Sequence, residues 1–270
     1  MKTLFISDLD GTLLTSRGSI SPESVRILRS LLNRGLAFTA ATGRTPLSAL
    51  PLLSELPVRL PLILLNGALT MTPDGKVTNA VPFSPQEQDL LCALEQESGL
   101  SGLQIGIREN RVFCSIPETQ LWRDFFSENG IGRTILPRAD FSDAGIRRLY
   151  SIYLDSRPDR LMQMVRALEP SGYFTLDFYK DRYMDALWGL EVYPVRVTKG
   201  AALQTLLRQE HFDACVCLID GQNDLSLARC CTRTVAVANA CPEVLAIADQ
   251  ITASHDEEGV ARYLSSCFPE

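Results

Sequence analysis

The sequence predicts an α/β protein: a parallel-sheet core interrupted by an inserted α+β domain. Three observations lead there. Short apolar runs rich in β-branched residues alternate with helical patterns up to about Gly67. From Ser84 the pattern changes to hairpins and isolated helices, and from Leu190 the alternation resumes. The boundaries read this way are residues 1–83 and 189–270 for the core and 84–188 for the insertion.

Thr3 to Ser7 reads as a short buried strand that ends in Asp8-Leu-Asp-Gly-Thr12. Ser21-Pro-Glu-Ser opens a helix with a capping serine and Pro at its first position, and Gly35 closes it. Leu36 to Ala41 is a second strand, followed by Thr42-Gly-Arg44 and a helix from Thr45-Pro46. Leu62 to Leu65 is a third strand, ending at Asn66-Gly67, and Pro73-Asp-Gly75 turns a hairpin between Leu69 and Val77. In the insertion, Ser84-Pro85 opens a helix, Gly102–Ile107 and Arg111–Ile116 form a hairpin, and a helix follows Pro117. Leu149–Leu154, Tyr173–Tyr179 and Tyr183–Leu187 read as strands, with a helix near Pro158–Leu168. Thr198-Lys199-Gly200 then opens a helix, Ala214–Ile219 is a strand ending in Asp220-Gly-Gln-Asn-Asp224, and Leu225 and Leu227 lie on a helix. Thr234–Ala238 is a strand ending at Asn239, Pro242 opens a helix, Gln250–Ala253 is a short strand, and the last helix starts near Asp256.

Charged residues make up 21% and apolar ones 46% of 270 residues, the balance of a soluble globular chain with a large core. A net charge of −6 argues against a nucleic-acid or anionic-membrane surface. No apolar run approaches the roughly 18–20 residues that span a bilayer, and no signal-peptide layout precedes the first strand, so a cytoplasmic protein is expected. The eight cysteines and two histidines lack zinc-site spacing, and the cysteines are expected to be buried, reduced thiols.

In a parallel α/β sheet, ligands bind beyond the carboxyl ends of the strands. Placed there, Asp8 and Asp10, Thr42 and Gly43, and Asp220 and Asp224 converge on one crevice, and Lys199 heads the helix before the Asp220 strand. Each alone has a structural reading: turn residues, a solvated helix-start lysine, a helix cap. Joint placement at successive strand ends favours a site. Oxygen ligands in that number suit Mg²⁺. A lysine, a hydroxyl and opened backbone amides suit a phosphoryl group.

These segments resemble the ordered motifs of the haloacid dehalogenase (HAD) superfamily: Asp-Leu-Asp-Gly-Thr at 8–12, Ala-Thr-Gly-Arg at 41–44, Asn66-Gly67, Lys199-Gly200 and Asp220-Gly-Gln-Asn-Asp224. The size and position of the insertion, Asn239-Ala240 and Asp256-Glu-Glu-Gly-Val260 are similar to its Cof-type phosphatases with a subclass IIB cap. The resemblance implies a Rossmann-like core and hydrolysis of a small phosphorylated metabolite through an aspartyl-phosphate. Asp8 would be the nucleophile and Asp10 the general acid and base. Asp8, Asp10, Asp220 and Asp224 would hold Mg²⁺, and Leu9, Thr42, Gly43, Lys199 and Asn223 the phosphoryl group. Arg44, and Lys180 with Arg182 in a polar turn of the insertion, are candidates for reaching the substrate. A monomer or weak homo-oligomer is expected. One departure stands out: where the family usually carries Gly before the first Asp of its last motif, this chain has Ile219, which cannot adopt glycine-only angles and would crowd a metal.

Other readings use the same residues. A phosphosugar mutase or a dedicated sugar-phosphate phosphatase would share the site, and interconversion without phosphate release would mark the mutase. A response-regulator receiver lacks a second Asp two residues on and has no large insertion. A catalytically silent binding protein would have little reason to keep every reacting group.

Overall fold

The structure is a computed structural model, and it describes residues 2–128, 145–181, 184 and 186–268. The chain forms two compact units, Met1–Asn79 with Thr198–Glu270, and Ala80–Val197.

The first unit opens with β1 (Thr3–Ser7), α1 (Pro22–Asn33), β2 (Phe38–Ala40), α2 (Pro46–Leu53), β3 (Leu62–Leu64), β4 (Leu69–Met71) and β5 (Val77–Ala80). Ser21 caps α1 by accepting from the Ser24 amide, and Pro22 occupies the first turn, where its missing N–H costs nothing. In the second unit come α3 (Pro85–Ser98), β6 (Leu103–Arg108), β7 (Arg111–Ser115), α4 (Gln120–Glu128), β8 (Arg147–Asp155), α5 (Pro158–Leu168), β9 (Phe174–Lys180) and β10 (Trp188–Pro194). The first unit then resumes with α6 (Lys199–Glu210), β11 (Ala214–Ile219), α7 (Leu225–Ala228), β12 (Arg233–Val237), α8 (Pro242–Ile247), β13 (Gln250–Thr252) and α9 (Gly259–Cys267).

Among the described residues the first unit's main sheet has the order β13-β12-β11-β1-β2, with parallel pairing throughout. Every residue of β11 is buried, which is why it reads as an unbroken apolar run rather than an alternating one. The sheet extends past β2 through a parallel bridge from Ala41 to Ile63, beyond which β3, β4 and β5 form a small sheet. From β1 the chain winds one way through β2, and from β11 it winds the other way through β12 and β13. The β1–β11 junction is therefore the topological switch point, the place where such sheets open a crevice.

The second unit carries a sheet in the order β7-β6-β8-β10-β9, with antiparallel neighbours. Leu91 of α3 and Leu161, Met164 and Leu168 of α5 pack with Tyr153, Leu190 and Val192 of the sheet into one core. The run from Leu190, where the sequence predicts the return of the α/β alternation, belongs instead to the second unit: β10 pairs with β8 and β9, and the first unit resumes at Thr198. An apolar run such as Leu190 to Pro194 shows burial, but not which sheet it joins. The strand expected at Tyr183–Leu187 lies partly outside the described residues, and Leu187 precedes β10. Among the described residues no helix is long and apolar enough to cross a membrane.

Candidate active site

Strand register delivers the first two carboxylates. Ser7 pairs with Leu218, and the Asp8 amide donates to the Leu218 carbonyl at 3.0 Å. Asp8 and Asp220 are thus the first residues beyond neighbouring parallel strands, at their carboxyl ends. Gly11 lets the chain turn back over them at a φ of +80°, and a Cβ there would sit 2.4 Å from Asp220 Oδ2, so only glycine fits. Thr12 Oγ1 donates to Asp220 Oδ1 at 2.7 Å. Asn239, beyond β12, donates from Nδ2 to the Gly11 carbonyl at 2.8 Å and accepts the His255 amide on Oδ1 at 2.9 Å.

The start of α6 delivers the lysine. Thr198 caps the helix by accepting from the Ala201 amide at 3.0 Å, an interaction worth about 1 kcal/mol. Gly67, at φ +105°, comes so close that a Cβ would lie 2.4 Å from the Thr198 carbonyl oxygen. Held on both sides, the first helical residue points inward: Lys199 is only 1% exposed. Its Nζ donates to Asp8 Oδ1 and to Asp224 Oδ1, each at 2.6 Å. Asp224 is fully buried, and its Oδ2 also accepts the Gly221 amide at 3.3 Å.

Carboxylate oxygens of Asp8, Asp220 and Asp224 lie within 4.8 Å of one another, and the Lys199 ammonium pairs with Asp8 and Asp224. Burial pushes the Asp8 carboxyl well above the usual carboxylate range, against the pull of Lys199 and with the help of Asp224 and Asp220. Burial works against the Lys199 charge as well, but Asp224 and Asp8 outweigh it and raise the ammonium above its ordinary value. The clustered carboxylates and the all-oxygen donor set fit a hard divalent cation.

Asp10 is turned elsewhere. Arg44 holds it in a two-pronged pair, Nε to Oδ2 and NH2 to Oδ1, both 2.7 Å. Thr42 is buried, and its hydroxyl accepts the Arg44 amide at 3.1 Å. Gly43 lies against the Asn66 side chain. The Leu9 side chain is buried in the core and its carbonyl accepts the amides of Thr12, Leu13 and Leu14, so only its backbone can serve a ligand. Asn223 is exposed on the turn Gln222–Asp224. In the second unit Lys180 is exposed at the end of β9, and Arg182 lies outside the described residues. Ile219 closes β11 fully buried, opposite Ala236, and is not among the positive-φ residues. The chain therefore places no demand for glycine angles there.

Thr12 and Asn239 are further members of the site beyond the residues expected from the sequence. The signal for both was available: a hydroxyl at the end of the Asp-Leu-Asp-Gly-Thr run, and an amide side chain at the end of another core strand.

The chain matches the haloacid dehalogenase-like hydrolase family over residues 5–264. It is 25% identical over 294 residues to phosphatase YwpJ of Bacillus subtilis, covering 98% of this chain and 99% of that protein. Its fold superposes on that of TM0651 from Thermotoga maritima with a TM-score of 0.78 at 22% identity, covering 100% and 99% of the two chains. The subclass IIB sugar phosphatase BT4131 gives a TM-score of 0.72 at 21% identity, with 99% of each chain covered.

Proposed function

Given that this chain belongs to the haloacid dehalogenase-like hydrolases, as a Cof-type phosphomonoester hydrolase, we propose that it is a cytoplasmic, Mg²⁺-dependent phosphatase of small phosphorylated metabolites. The observation that carries the reading is the buried lysine bridging Asp8 and Asp224 beside Asp220, at the switch point of the sheet. Asp8 attacks phosphorus and forms an aspartyl-phosphate, expelling the alcohol. Asp10 protonates the leaving oxygen and then takes a proton from the water that hydrolyses the acyl phosphate. In this structure both Asp10 oxygens accept from Arg44, so the transfer requires one of them to leave the guanidinium. Lys199, the Thr42 hydroxyl, the backbone at Leu9 and Gly43, and Asn223 take up charge on the phosphoryl oxygens. Asp8, Asp220 and Asp224, with the Asp10 backbone, would hold Mg²⁺, which supplies the positive charge that lets a carboxylate approach a phosphate ester.

The test is phosphate release from a small aryl phosphate. EDTA is expected to abolish it and Mg²⁺ to restore it. Asp220→Ala is expected to raise the Mg²⁺ needed for half-maximal rate by roughly tenfold or more. Undiminished turnover in EDTA, with no metal found by elemental analysis, would overturn the metal-dependent reading.

The groups just named handle phosphate and metal and do not tell one ester from another. We assign selectivity to the inserted unit, as a cap domain. Replacing Lys180 and Arg182 together with Ala is expected to reorder kcat/KM across a panel of phosphorylated metabolites more than it changes kcat for the aryl phosphate. An unchanged ranking would reject these two residues.

A further inference from the structure

Away from the carboxylates, the first unit holds a thiol cluster that the hydrolytic chemistry does not use. Cys231, in the segment between α7 and β12, sits with its Sγ 3.2 Å from Cys215 Sγ on β11. Cys217 lies two residues further along the same strand, so its side chain points to the same face of the sheet as that of Cys215. The backbone keeps this group together: the Thr232 amide donates to the Cys215 carbonyl at 2.8 Å, Thr232 Oγ1 donates to that carbonyl at 2.7 Å, and the Cys215 amide donates to Thr232 Oγ1 at 3.3 Å. Cys215 and Cys217 are buried, whereas Cys231 is partly exposed. All eight cysteines are free.

We propose that Cys215 and Cys231 form a reversible disulfide when the protein meets a hydroperoxide, with Cys217 as the alternative partner. Cys231 is where a small oxidant arrives. Its sulfur takes one peroxide oxygen, giving a sulfenic acid and releasing water or, from an organic hydroperoxide, the alcohol. The Cys215 sulfur then attacks that sulfur, the S–S bond forms and water leaves. The two sulfurs need to close by only about 1 Å to reach bonding distance. Cys217, on the same face of β11, can exchange into the bond. The ring so closed contains Asp220, Asn223 and Asp224, so oxidation puts a covalent chord across the loop that carries them.

The experiment is hydrogen peroxide treatment of the intact, Mg²⁺-loaded protein, followed by mass spectrometry and thiol titration. The expected result is a loss of two hydrogen masses and two of the eight titratable thiols, both reversed by dithiothreitol. Trypsin then releases residues 209–229 joined to residues 230–233, with fragment ions placing the bond on Cys231. Cys231→Ser abolishes that linked pair, Cys230→Ser retains it, and Cys215→Ser moves it to Cys217. Circular dichroism of each variant establishes that it folds. Recovery of both peptides as free thiols, while other cysteines are oxidised or cross-linked between molecules, would overturn the proposal. So would a linked pair that survives Cys231→Ser.

Discussion

Asp8→Asn is expected to lower turnover by several orders of magnitude while leaving the fold at least as stable as before in EDTA. The amide keeps the size of the carboxylate, and its oxygen can still accept from Lys199 Nζ, which lies 2.6 Å from Asp8 Oδ1. What it lacks is the nucleophilic oxygen that becomes esterified to phosphorus. Stability moves the other way for an electrostatic reason. Burial, with Asp224 and Asp220 close by, pushes the Asp8 carboxyl up against the pull of Lys199. Removing one carboxylate relieves like-charge repulsion when no cation is present. Kinetics with an aryl phosphate and thermal unfolding in EDTA measure the two effects separately. Full activity would reject Asp8 as nucleophile. A loss of activity accompanied by unfolding would leave it as a structural residue.

Much of this arrangement was legible in the residues because the core strands are buried on both faces. Runs such as Thr3–Ser7 and Ala214–Ile219 stand out as continuous apolar segments, and the first polar residue after each must lie at a strand end. Asp8 and Asp220 are such residues. Helix starts were equally plain, since Ser21-Pro22, Ser84-Pro85 and Thr198 announce their caps. What stayed hidden depends on side-chain reach or on pairing between distant segments. Arg44 is one residue past a strand-end glycine, and nothing in its position says that it will grip Asp10 with both prongs. The membership of β10 is decided by hydrogen bonds to β8 and β9, which its apolar pattern does not encode. Cys231 meets Cys215 only because Thr232 is tied to the backbone of β11. Of the two expectations for Ile219, the backbone angle is one that the chain does not require: the residue is a regular member of β11, paired with Ala236.

Lys199→Met is expected to abolish turnover and to cost about 3–5 kcal/mol of stability in EDTA, the range for breaking a buried ion pair from one side. Lys199 is 1% exposed, and its side chain is the shared donor to two buried carboxylates. Methionine fills similar volume, so cavity formation contributes little, and the loss reports the charge. The wild-type contribution holds across ordinary pH. Asp224 and Asp8 raise the native ammonium above its unfolded value against the pull of burial, so the stabilisation is complete below that unfolded value and is lost only as pH climbs through the raised native one. A double-mutant cycle isolates the pair. In the Asp8→Asn background one of the two stranded charges is already gone, so Lys199→Met should cost clearly less than it does in the wild type. Urea unfolding of the four proteins in EDTA measures this without any recourse to activity. Strict additivity would mean that Lys199 and Asp8 act independently, and the bridge through Nζ would then carry no energetic weight. Mg²⁺ offers a second readout, because a bound divalent cation can offset the carboxylates left behind in Lys199→Met. It should restore part of the lost stability to that variant and none of its turnover, since the phosphoryl oxygens still lack their ammonium partner.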